Sequence, residues 1–115
     1  MVIDWARIES LVDMNDPEDL AWLKEMVGSL LENMATRVEN LEGLLSLKNQ
    51  KDIQSELHQI KGVAANFGLA ALSEVVVKAE ALAKQGILDE SITEAKKIPP
   101  IWQTTREELL KRFPN

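Results

Sequence analysis

Apolar residues along the chain recur in steps of three and four, the spacing of one face of an α-helix, and no stretch alternates in the manner of a half-buried strand. The longest stripe is Leu20, Leu23, Val27, Leu30, Leu31, Met34, Val38, Leu41, Leu44 and Leu45. It predicts a helix from Pro17 to about Leu47, roughly 45 Å long at ~1.5 Å per residue. Asp16-Pro17-Glu18-Asp19 marks its start. Asp16 can cap, Pro17 suits the first helical position, and two acids meet the positive end of the helix dipole. Lys48-Asn49-Gln50 breaks the pattern, with Asn49 placed to cap the next helix.

Ile53, Leu57, Ile60, Ala64 and Phe67 predict that helix, Lys51 to Phe67, ended by Gly68, a residue suited to the left-handed cap. Leu69, Leu72, Val76, Ala79 and Ala83 predict another from Leu69 to Gln85, ended by Gly86. From Asp89 to Arg112, Ile92, Ala95, Ile98, Trp102, Thr105 and Leu109 keep near-helical register. Pro99-Pro100 lies inside that run, and proline's missing donor and its clash with the preceding residue predict a kink or short break there. Ahead of all these, Trp5 to Asp13 carries a brief stripe (Ile8, Leu11, Val12) that stops at Met14-Asn15-Asp16. Short connections between long amphipathic helices favour antiparallel neighbours. The expected fold is therefore all-α: an antiparallel up-down four-helix bundle with a short additional N-terminal helix on its side or end, one domain over residues 1–115. Trp5, Trp22 and Trp102 are expected in the core or in helix packing rather than against a ligand.

Composition narrows the function. The chain has 115 residues, of which 45% are hydrophobic and 28% charged, as in soluble single domains. Its net charge of −6 argues against nucleic acid, whose phosphates call for a basic face. No apolar run approaches the ~20 residues of a bilayer span. Met1-Val2-Ile3-Asp4-Trp5 has neither a basic nor a long apolar leader segment, so the expected location is the cytoplasm. There is no cysteine and one histidine, which excludes thiolate and di-histidine metal sites and sends any imidazole chemistry through His58.

At ~100° per residue, His58 lies about 140° from the centre of its helix's apolar stripe, nearly opposite the core. An exposed, solvated histidine is the ordinary reading of such a position. Gly62 weighs against it. One turn beyond His58 on the same outer face, a glycine inside a helix costs about 1 kcal/mol relative to alanine and leaves bare backbone beside the ring. Lys61, three residues on, brings a cation within reach of an anion on the imidazole. Small residues at Ala64, Ala65, Ala70 and Ala71 keep the surroundings low. An accessible neutral imidazole beside a cation suits phosphoryl acceptance, since its nitrogen is a nucleophile near neutral pH. No phosphate-cradling glycine loop or kinase motif is present, so the chain is expected to carry a phosphoryl group without drawing it from a nucleotide.

His58-Gln59-Ile60-Lys61-Gly62-Val63-Ala64-Ala65-Asn66-Phe67-Gly68 resembles the signature of histidine-containing phosphotransfer (HPt) domains: His, any residue, an aliphatic, Lys, Gly, small residues, then an apolar-Gly pair. Ile3-Asp4-Trp5-Ala6-Arg7-Ile8 with Asp16-Pro17-Glu18 resembles the opening of such domains, and the run to Ala79-Glu80 fits their fourth helix. The resemblance implies a phosphorelay intermediate. His58 would accept a phosphoryl group, at Nε2, from a response-regulator receiver aspartate or from a histidine kinase or hybrid kinase, and pass it to another receiver. Lys61 would steady the phosphoryl oxygens and Gly62 would give the partner access. Many family members have Gln where this chain has Glu80. A carboxylate there can accept the Nδ1–H bond and orient the ring, but it also repels a phosphoryl group. Partner contact is expected at Gln54, Ser55, Gln59, Ala65 and Asn66 and at parts of the first and second helices, although Asn66 also stands where the helix ends. No cofactor or metal is expected on this chain, and Mg²⁺ would belong to the receiver.

Three rival readings are weaker. A non-catalytic helical-bundle adaptor explains the amphipathic helices but not Gly62 beneath an exposed His58. A ferritin-like metal enzyme needs Glu three residues before each histidine, and Ser55 stands there. A kinase dimerisation segment would follow its histidine with an acid, where this chain has Gln59.

Overall fold

The computed structural model describes residues 1–114 and is all-helical over them. Six helices follow in order: α1 (Trp5–Glu9), α2 (Pro17–Leu47), α3 (Gln50–Asn66), α4 (Ala70–Lys84), α5 (Leu88–Ala95) and α6 (Ile98–Arg112). α2 packs on α3 and α6, α3 on α4, and α4 on α5 and α6, which closes a ring of four long helices around one core. The body measures 47 × 22 × 20 Å, its long axis set by the 31 residues of α2. No described helix is long and apolar enough to cross a membrane.

Local signals stop and start the helices where side chains or glycines satisfy orphan backbone groups. The Asp16 carboxylate accepts from the Glu18 N–H at 2.9 Å with Pro17 in the first turn, and Asn49 caps α3 through the Asp52 N–H. α3 ends in a Schellman motif, with Leu69 N–H on the Ala64 carbonyl (2.9 Å) and Gly68 at φ +64°. α4 ends the same way at Gly86.

Gly68 is also a steric necessity. A β-carbon there would lie 2.7 Å from the Asp4 carbonyl oxygen and 2.8 Å from Arg7 Cβ. The N-terminal segment lies against this turn: Asp4 N–H donates to the Gly68 carbonyl (2.7 Å), and the Arg7 guanidinium to the Asn66 carbonyl (3.0 Å). Arg112 then clasps α1 to the end of α6, over the Trp5 ring and onto Glu9. Gly68→Ala is expected to destabilise the fold by about 2–4 kcal/mol, combining left-handed strain with the clash. A urea midpoint unchanged from wild type would contradict that packing.

Four sequence expectations need correction. α1 ends at Glu9 rather than Asp13. Ser10 Oγ donates to the Arg7 carbonyl, and the Asp13 carboxylate takes the Asn15 N–H, so side chains outcompete helical bonding there. The final segment is two helices, and its break falls at Lys96-Lys97, just ahead of the prolines. Pro99 and Pro100 stand in the first turn of α6, where their missing N–H groups have no helical acceptor in any case. Trp22 is 48% exposed and Leu20 is also exposed, although Trp102 is buried and Trp5 packs on Phe113. Leu20 lies in the first turn of α2, which outruns the 17-residue α3, whereas Trp22 points away from the buried stripe of α2.

Candidate functional site

α3 brings His58 to the surface because Ile53, Leu57, Ile60 and Ala64 are fully buried on its other side. The imidazole is 63% exposed. Its Nδ1 lies 2.9 Å from Glu80 Oε2, across the α3–α4 interface. Glu80 is otherwise buried, with its side chain only 3% exposed. Lys61 bonds its second oxygen, Oε1, and Lys84, one turn along α4, reaches the same oxygen at 3.3 Å.

These contacts settle the state of the carboxylate. Burial pushes the Glu80 carboxyl up, and the Lys61, His58 and Lys84 contacts pull it down further, leaving it below its ordinary value of 4.5. Glu80 is therefore ionised at neutral pH and can only accept. The His58 Nδ1 must then carry the proton and donate it. In the neutral ring the lone pair is then left on the other nitrogen, Nε2, which has no hydrogen-bond partner among the described residues. One carboxylate thus holds the ring's tautomer and two ammonium groups together. Its charge is exceeded by theirs, leaving a net positive site beside a nucleophilic nitrogen.

Because the folded value lies below the unfolded one, the linked stability is present above the ordinary glutamate range and is lost as pH falls through the folded value. Glu80→Gln is thus expected to destabilise the protein at neutral pH, with the gap to wild type closing below about pH 4.5. Urea melts across that range measure it, and a gap independent of pH would contradict the ionised clamp.

Gly62 is exposed, and a β-carbon there would meet nothing within 4 Å. The fold itself therefore does not demand a glycine at this position. Gln54 and Ser55 line an open groove with His58 and Glu80, while Gln59, Ala65 and the Asn66 side chain are exposed on the same helix. His58, Gly62 and the five expected contact residues thus lie on the outer side of α3, while Glu80 reaches the imidazole from its buried position on α4.

The structure adds residues that no sequence motif singles out. Lys51 and Lys84 flank the same groove. Lys84 has a local signal, four residues after Glu80, while Lys51 stands two turns before His58. Trp22, Met26 and Leu30 of α2 meet Val63 and Phe67 of α3 in a second, mainly apolar groove further along α3.

A family model described as Hpt domain matches residues 25–111. Comparison with curated proteins and with solved structures gave no match. The match takes in all of α3, α4 and α5, most of α2 and nearly all of α6, and with them the entire His58 cluster. On that span, well over half of its length, the chain belongs to the Hpt domain family, the phosphocarrier domains of two-component signalling that exchange phosphoryl groups with receiver domains and kinases.

Proposed function

We propose that this chain is a phosphorelay intermediate that accepts a phosphoryl group on His58 Nε2 and passes it to a response-regulator receiver aspartate. One observation carries the reading. The ionised, buried Glu80 fixes the proton on Nδ1, while the ring stands 63% exposed with Nε2 unpartnered among the described residues. That is the arrangement of a nucleophile waiting for a large electrophilic partner.

Lys61 and Lys84 supply positive charge for the phosphoryl oxygens, offsetting the repulsion that Glu80 alone would exert. Gly62 leaves the backbone beside the ring open to the partner. Docking spreads over Gln54, Ser55, Gln59, Ala65 and Asn66 and extends into the Trp22 groove, whose exposed aromatic suits an interface anchor. The chain works as one domain in the up-and-down antiparallel order that its short α2–α3 and α3–α4 connections favour. It needs no resident cofactor, with Mg²⁺ held by the receiver, and it meets receivers and a histidine or hybrid kinase in the cytoplasm.

The test is transfer itself. A phosphorylated, labelled receiver domain mixed with the chain should lose label to it. Failure across cognate and promiscuous receivers would favour the helical adaptor instead.

A further inference from the structure

Glu80 is bound more tightly than a residue that only orients a ring requires. It is buried, it spans the α3–α4 interface, and three groups from two helices bond its two oxygens. The charged groups facing His58 are Glu80 and Lys84 from α4 and Lys51 and Lys61 from α3 itself. From α2, Arg37 is turned to Glu56 at 3.4 Å. Among the described residues, the imidazole therefore has one hydrogen-bonding carboxylate, fixed in place by cations.

We infer that Glu80 retains the Nδ1 proton on phosphorylated His58, so that phosphoryl groups enter and leave without proton exchange with solvent. This rests on His58 being the phosphoacceptor. On acceptance, the Nε2 lone pair attacks phosphorus, the bond from phosphorus to the receiver's aspartyl oxygen breaks, and its electron pair returns to that carboxylate. The ring becomes a phosphoimidazolium, its positive charge facing Glu80 across the Nδ1–H bond, much as a buried carboxylate steadies the imidazolium of a catalytic triad. On donation, a receiver carboxylate oxygen attacks phosphorus and the Nε2–P bond breaks. Its electron pair returns to Nε2, which leaves as part of a neutral Nδ1–H imidazole. Had the proton been lost, the leaving group would be an imidazolide anion, a far poorer one. Glu80 therefore makes the site a transit point with a labile phosphoryl group rather than a store.

The experiment follows the lifetime of phosphohistidine on the isolated phosphoprotein. Wild type and Glu80→Gln are labelled with phosphoramidate, a small donor that needs no receiver. A glutamine can accept from Nδ1–H but can also turn its amide to donate to a bare Nδ1. The variant's lifetime is thus expected to lengthen roughly tenfold from about pH 6 to about pH 8, following loss of the ring proton. The wild-type lifetime is expected to change less than about twofold over that range. Superimposable profiles would overturn the inference while leaving the phosphoacceptor reading intact. A His58 labelled by neither phosphoramidate nor a phosphorylated receiver would overturn both. Should the variant not fold, the ¹⁵N shift of Nδ1 in the phosphorylated wild type decides. It is expected to stay at its protonated position up to about pH 8, and titration like free phosphohistidine would overturn the inference.

Discussion

His58→Gln is expected to abolish acid-labile labelling of the chain by a phosphorylated receiver while leaving the helical fold in place. The side chain is 63% exposed and belongs to no buried cluster, so the cost to stability is expected within about 1 kcal/mol. Glutamine's amide can also donate to Glu80 in place of Nδ1–H, which keeps the carboxylate partnered. Label is the large effect, expected to fall from stoichiometric to background because no second histidine exists to receive it. The measurement is gel-resolved label with and without acid treatment, beside circular dichroism. Residual acid-labile label on a folded variant would place the acceptor elsewhere and sink the reading of the site.

The second large effect belongs to Gly62. Its β-carbon would enter open space, and its backbone is helical, so replacement by any good helix former should stabilise α3 by about 0.5–1 kcal/mol. Transfer should move in the opposite sense. Gly62→Gln is expected to slow transfer from a receiver by at least roughly tenfold, since a long side chain one turn from His58 obstructs the docking partner. Gly62→Ala should raise the urea midpoint with a smaller loss of rate. Stability and rate thus diverge, which separates access from folding. Equal transfer rates for wild type and Gly62→Gln would mean that the glycine serves neither partner nor fold.

How far the sequence carries these conclusions depends on the range of the interactions involved. Helices α2, α3 and α4 are legible because their stripes, caps and terminating glycines act within a few residues. Asp16, Asn49, Gly68 and Gly86 each perform the local task expected of them. The outward direction of His58 is legible for the same reason, since it follows from the phase of a single helix. Pro99 and Pro100 mark a helix boundary, but their pattern does not say on which side the break falls. The Lys96-Lys97 turn resolves it by letting both prolines open α6.

Pairing across helices lies beyond local reading. The three-way bond at Glu80 depends on the register of α3 against α4, which no spacing within either helix reveals. Lys84 can be placed beside Glu80 by its four-residue offset, yet its proximity to His58 emerges only once the helices are packed. Trp22 invites assignment to helix packing by its size alone. It lies about 100° from Leu23 around α2, off the buried stripe, and so remains open to solvent.

The most direct measurement concerns which nitrogen of which residue holds the phosphoryl group. The protein, uniformly ¹⁵N-labelled, is phosphorylated by a receiver and its phosphorus and imidazole resonances are assigned. A single phosphohistidine at Nε2 of His58, with Nδ1 still bearing its proton against Glu80, is the expected result. Phosphate on Nδ1, or on any residue other than His58, would contradict the account.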